Sequence, residues 1–104
     1  MTEYLVYMTA PSEDEATRIG TELVGQRLAA CANILGTSKS IFWWHGAVQS
    51  ESETAMVLKT SDKKIELLMS TAQALHSYDC PAIAALEIKK SNPEFLNWIV
   101  EETS

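Results

Sequence analysis

Two histidines, His45 and His76, and two cysteines, Cys31 and Cys80, supply the imidazole and thiol groups of this chain, and Asp79 stands beside the second cysteine. Neutral imidazole and thiolate suit copper and zinc, and a carboxylate can complete such a set. One expectation is a divalent metal site, for copper or zinc, built on His76 and Asp79 with Cys31, Cys80 or His45 to complete it. A closed site needs three or four converging ligands, and an oligomer could draw them from two chains. The competing expectation for His76 is structural, since an imidazole at a helix end can bond the last carbonyls and complement the helix dipole. No metal is expected to be required for folding.

A second group, Arg27, Glu53, Lys59 and Tyr78, reads as the lining of an intersubunit cleft for a small anion or metabolite, because a guanidinium forks onto a carboxylate or phosphate. The bland alternative is an ion pair of Arg27 or Lys59 with Glu53 that fixes a hairpin. Neither histidine stands in a Ser/His/Asp or Cys/His signature, and no GxGxxG or P-loop occurs, which argues against an enzyme.

The elements that must position these groups follow from pattern. The β-forming run at 4–9 is stopped by Ala10-Pro11 and predicts a first strand. Ser12, three residues before Glu15, forms a capping box, and Ala16, Ile19, Gly20, Leu23 and Val24 recur at helical spacing, so a helix should run to near Arg27. Strand-like residues occupy 28–35, break at Gly36-Thr37-Ser38-Lys39, and resume over 40–44. Gly46 and the polar run 49–52 supply turn chemistry, and 53–60 reads as the returning strand of a hairpin. Ser61-Asp62 opens a second helix with Ile65, Leu68, Met69, Ala72 and Leu75 or His76 as its apolar stripe. A strand over 82–88 follows. Asn92-Pro93 then opens a terminal helix with Phe95, Trp98 and Ile99 on one face.

The order β-α-β-β-α-β-α is the split βαβ pattern of an α+β, ferredoxin-like fold, an antiparallel sheet with one added C-terminal helix in a single domain over 1–104. Two helices cover one face of that sheet. Tyr4, Val6 and Met8 alternate with Leu5 and Tyr7, so the first strand is apolar on both faces and the second face needs cover. Phe42, Trp43 and Trp44 bring about 150–250 Å² each and are expected at an interface between copies of the chain.

Composition excludes several classes. A net charge of -6 and a pI near 4.8 repel a phosphate backbone, so nucleic acid is not an expected partner. No stretch approaches membrane-spanning length. The N-terminal run, with Glu3 and no basic segment, reads as a strand and not as a signal peptide. Cys31 and Cys80 lack CxxC spacing and read as two buried thiols, and the cytoplasm is the default compartment.

The segments RLAACANI at 27–34, Ser40-x-x-x-Trp44-x-Gly46, Glu53, Lys59-Thr60, His76-x-Tyr78-Asp79-x-Pro81 and Phe95-Leu96-x-Trp98-Ile99 together resemble the CutA (CutA1) divalent cation tolerance family across essentially the whole chain. That resemblance implies a tight homotrimer of ferredoxin-like protomers, related in architecture to PII-type signalling trimers. It also implies tolerance to divalent metals, copper in particular, with no established reaction. A structural trimer that scaffolds other proteins is the remaining expectation. Where the family usually reads His-Pro-Tyr-Glu-x-Pro-Glu-Ile, this chain has His76-Ser77-Tyr78-Asp79-Cys80-Pro81-Ala82-Ile83, and His45 replaces a residue that is commonly acidic or otherwise polar. One proline and one carboxylate are lost, and His45 and Cys80 are gained.

Overall fold

The computed structural model describes residues 2–104; Met1, included in the domain expected over 1–104, lies outside the described residues. The elements are β1 (Glu3–Ala10), α1 (Glu13–Gly25), β2 (Cys31–Trp44), β3 (Ala47–Ser61), α2 (Ile65–Leu75), β4 (Ile83–Glu87) and α3 (Pro93–Glu102). All strand pairs are antiparallel, in the order β2-β3-β1-β4. This is the split βαβ arrangement with α3 added.

Helix α1 starts where Ser12 accepts a hydrogen bond from the Glu15 amide at 3.1 Å. Ala16, Ile19, Gly20 and Leu23 are buried, while Val24 is exposed. A Cβ at Gly20 would lie 3.2 Å from the Ala32 Cβ, so glycine lets the helix lie close on β2. The helix ends at Gly25, before Arg27, whose backbone turns into the left-handed region at φ 60°. Helix α2 begins at Ile65, later than expected, because Ser61 still belongs to β3 and exchanges a 2.7 Å hydrogen bond with the Thr103 hydroxyl.

The hairpin departs most from expectation. Leu28 and Ala29 are buried in the connection from α1 and not in a strand; β2 starts at Cys31 and runs unbroken to Trp44. The expected break is a β-bulge: Ile34 pairs with Met56 and Gly36 with Ala55, which leaves Leu35 as the extra residue. Gly36 sits at φ 112°, a conformation that favours glycine. The turn is the two-residue His45-Gly46, with φ 49° and 79°, as a type I′ hairpin requires. The polar run at 49–52, expected as a turn, is strand.

Strand β1 pairs with β3 only as far as Ala10 against Thr54. Beyond that point β2 and β3 pair with each other alone and project as a two-stranded arm, which stretches the molecule to 44 Å in its longest dimension. Because side chains alternate along a strand, the bulge moves the even-numbered side chains of β2 from the helix-covered face, where Ala32 and Ile34 sit, to the open face. Ser40, Phe42 and Trp44 therefore share a face with Glu51 and Gln49, while Ile41 and Trp43 point the other way.

Val6, Met8, Ile19, Leu23, Leu28, Met56, Leu58 and Leu68 close the core between the sheet and helices α1 and α2. On the opposite face α3 packs against the end of β1 and β3, where Thr103 bonds Ser61, and the remainder is open. Leu5, Tyr7 and Leu86 are exposed there. On α3, Ile99 is fully buried, whereas Trp98 is exposed and its ring stacks on Phe95 at 6.0 Å.

Candidate functional site

At the C-terminal end of α2 the chain enters a loop, 76–82, that returns to β4 alongside the base of the arm. His76 anchors this loop. Its backbone amide caps the helix on the Ala72 carbonyl at 3.0 Å, but its ring reaches across to β1, where Nε2 bonds the Thr9 carbonyl at 2.7 Å. A carbonyl only accepts, so Nε2 bears the proton; Nδ1 accepts from the Tyr78 amide at 3.1 Å. Glu15 of α1 lies 3.6 Å from Nδ1 and accepts from the Ser77 amide at 3.0 Å and the Ser77 hydroxyl at 2.8 Å. Glu15 thus ties the loop to α1, and the capping box is realised in its Ser12 half. The Tyr78 ring rests at 4.9 Å from that of His76, and its hydroxyl donates to Glu53 of β3 at 2.9 Å. Four elements are linked in one polar chain.

Two of these groups are displaced from their ordinary acidities. Burial raises the Glu15 carboxyl, yet the two Ser77 hydrogen bonds, with the Arg18 charge nearby, outweigh it and leave its pKa below 4.5. Burial, the hydrogen bond to Glu53, and the negative charges of Glu53, Glu51 and Glu15 push the Tyr78 phenol up to about 12. The depressed carboxyl contributes stability above its unfolded pKa that is lost as pH falls through the folded value. The raised phenol contributes stability below pH 10 that is lost as pH rises through about 12. Unfolding measured against pH should therefore show an acid limb that Glu15→Gln flattens and an alkaline limb that Tyr78→Phe flattens. Unchanged limbs in these variants would contradict the assignment.

Between the loop and the arm lies a cleft of about 630 Å³. Phe42 and Trp44 of β2 form its aromatic wall, Glu51 and Glu53 of β3 its acidic one, and Tyr78, Asp79 and Cys80 its loop side, with Thr9 at the base.

The residues expected to bind metal are dispersed. His76 has a buried ring with both nitrogens engaged, so it offers a metal no free lone pair. Asp79 and Cys80 line the cleft; His45 is at the arm's turn. Cys31 pairs with Lys59, which is opposite Leu5, four positions along β1 from Thr9. Among the described residues no three His, Cys, Asp or Glu side chains gather as a metal cluster. Nor are the cysteines both buried: Cys31 is half-buried and Cys80 exposed.

The anion group is split as well. Tyr78 and Glu53 meet in the cleft, but Arg27 bonds the Glu102 carboxylate and carbonyl of α3, each at 3.2 Å, and the Lys59 ammonium donates to the Asn33 side-chain oxygen. Neither cation pairs with Glu53 within the chain. A cleft residue the sequence reasoning missed is Glu51, concealed in a run read as a turn; the role of Glu15 was hidden behind its capping spacing. Phe42, Trp43 and Trp44, expected at an interface, lie on the arm, with Trp43 the most exposed at 74%.

The model of the CutA1 divalent ion tolerance protein family matches residues 4–102. A divalent-cation tolerance protein CutA from Archaeoglobus fulgidus is 44% identical over 96 residues, covering 92% of this chain and 93% of that one. The solved structure of a divalent cation tolerance protein (Cut A1) from Thermus thermophilus superposes with a TM-score of 0.94 at 40% identity, covering 98% of this chain and 99% of that one. That of CutA1 from Oryza sativa gives 0.95 at 33% identity, covering 100% and 95%.

Proposed function

The chain belongs to the CutA1 divalent ion tolerance family, and from that premise we propose that it is a non-catalytic homotrimer of the cytoplasm that binds divalent metal, copper foremost and zinc next, where the arm of one copy meets the loop at 76–82 of another. One observation carries this reading: the arm presents Ile41, Trp43 and Val48 at 69%, 74% and 58% exposure, more apolar surface than a lone domain leaves in water without use. The open sheet face with Leu5, Tyr7 and Leu86 exposes a second apolar surface, on the side opposite Ile41 and Trp43. Association of copies covers both.

In this assembly the metal ligands are Asp79 and Cys80 of the loop, with His45 supplied from the arm of a neighbouring copy. Thiolate and imidazole favour copper and zinc over magnesium and calcium. The unpaired thiols of Cys31 and Cys80 support a reducing compartment. Calorimetric titration with Cu(II) and Zn(II) under anaerobic conditions tests the site. Cys80→Ser and His45→Ala should each weaken binding about tenfold or more, since every 1.4 kcal/mol of lost ligation is about tenfold, and His76→Ala, which removes no ligand and acts only by loosening the loop, should weaken it less than either. Equal affinities in the Cys80 and His45 variants would overturn the ligand assignment, and the absence of stoichiometric binding would overturn the metal reading itself.

A further inference from the structure

The cleft beneath the arm shares Asp79 and Cys80 with the metal reading, but Glu51, Glu53, Phe42 and Trp44 in its lining take no part in that reading. Its lining contains three carboxylates, Glu51, Glu53 and Asp79, and no lysine or arginine, so its field attracts cations and repels anions. Beside Glu51 on the same face of the arm stand Phe42 and Trp44, and ring faces attract ammonium groups while also packing against methylenes. About 630 Å³ is within the range of small-molecule sites. Glu53 is held in place by the Tyr78 hydroxyl at one oxygen, Oε2, which leaves Oε1 to accept a further bond. The carboxylates are spread along the cleft and do not close into a three-ligand group among the described residues.

We infer that this cleft binds a small aliphatic amine, whose ammonium groups lie against Glu51, Glu53 and Asp79 while its methylene chain runs along Phe42 and Trp44. Charges distributed along a flexible chain match separated carboxylates, whereas a point cation would need them gathered. The apolar wall gives the methylenes a place that hydrated metal ions have no use for. The inference stands apart from the metal reading, whose test is read at Cys80 and His45, so either can fail alone.

Spermidine is a suitable probe, and the indole N–H resonance of Trp44, identified by its loss in Trp44→Phe, reports the wall. The expected result is a saturable shift of that resonance in the intact assembly, weakened by added salt because the attraction is screened. Glu51→Gln, which removes a charge and leaves the Tyr78–Glu53 hydrogen bond in place, should weaken the response about threefold, and Glu51→Gln with Glu53→Gln about tenfold. Octane-1,8-diol, of similar length but uncharged, should produce no saturable shift. A response to the diol equal to that of spermidine, an unchanged response in the double variant, or no saturable shift in the parent protein would overturn the inference.

Discussion

Replacing Ile41 and Trp43 together by glutamate is expected to break the proposed trimer into folded monomers at micromolar concentration. Trp43 is 74% and Ile41 69% exposed in the single chain. A tryptophan carries about 150–250 Å² and apolar burial is worth about 25 cal/mol per Å², so covering Trp43 alone contributes about 3 kcal/mol per subunit. A closed trimer repeats each interface three times, so the pair accounts for about 10 kcal/mol or more of its assembly energy before the cost of desolvating the new carboxylates. The core that holds the fold does not include the arm: Val6, Met8, Leu23, Met56, Leu58 and Leu68 are buried within one chain. The variant should therefore keep its far-ultraviolet circular dichroism while its sedimentation coefficient falls to that of one chain. Ile41 and Trp43 face away from the cleft, so its lining remains. A parent protein that sediments as a monomer, or a variant that remains trimeric, would refute the assembly.

The same separation between core and arm explains which parts of the fold the sequence reveals. Helix α1 is legible because Ala16, Ile19 and Leu23 are buried within the chain and so leave a helical period, and Ser12 marks its start chemically. Beyond Thr54 the arm has no core on either side, so nothing enforces alternation there: Gln49, Ser50 and Ser52 are tolerated in a strand because they face water or the cleft. Gly36 with three polar neighbours then reads as a loop. Its meaning as a bulge depends on Met56 and Ala55, about twenty residues away, and pairing registers are not written in local composition. The candidate site suffers from the same limitation. Tyr78 and Glu53 are both identifiable as cleft residues, yet the partners that decide the roles of the other candidates lie far off in sequence: Thr9 for His76 and Glu102 for Arg27. The chain's two histidines look alike by type, and only the fold distinguishes the buried clamp from the exposed residue of the turn.

That distinction yields the second large effect, because a clamp and a metal ligand fail differently. His76→Ala removes a buried ring and strands two backbone groups, the Thr9 carbonyl and the Tyr78 amide. Unsatisfied buried groups cost about 1–3 kcal/mol each, and the cavity adds to that, so a loss of about 3 kcal/mol is expected. His76→Gln retains an N–H donor on a side chain that can extend toward Thr9 and should recover part of the loss. Denaturant unfolding at fixed protein concentration measures both variants, and hydrogen exchange at the Tyr78 amide, which should become faster in His76→Ala, shows where the loosening occurs. The effect should propagate along the polar chain, since Ser77 and Tyr78 are held to Glu15 and Glu53 only while the loop keeps its path; cleft binding measured at Trp44 should weaken with it. A ligand role predicts the opposite pattern, with stability of the metal-free protein nearly unchanged and metal affinity lost. Finding that pattern would return His76 to the metal site and require its ring to leave the Tyr78 amide.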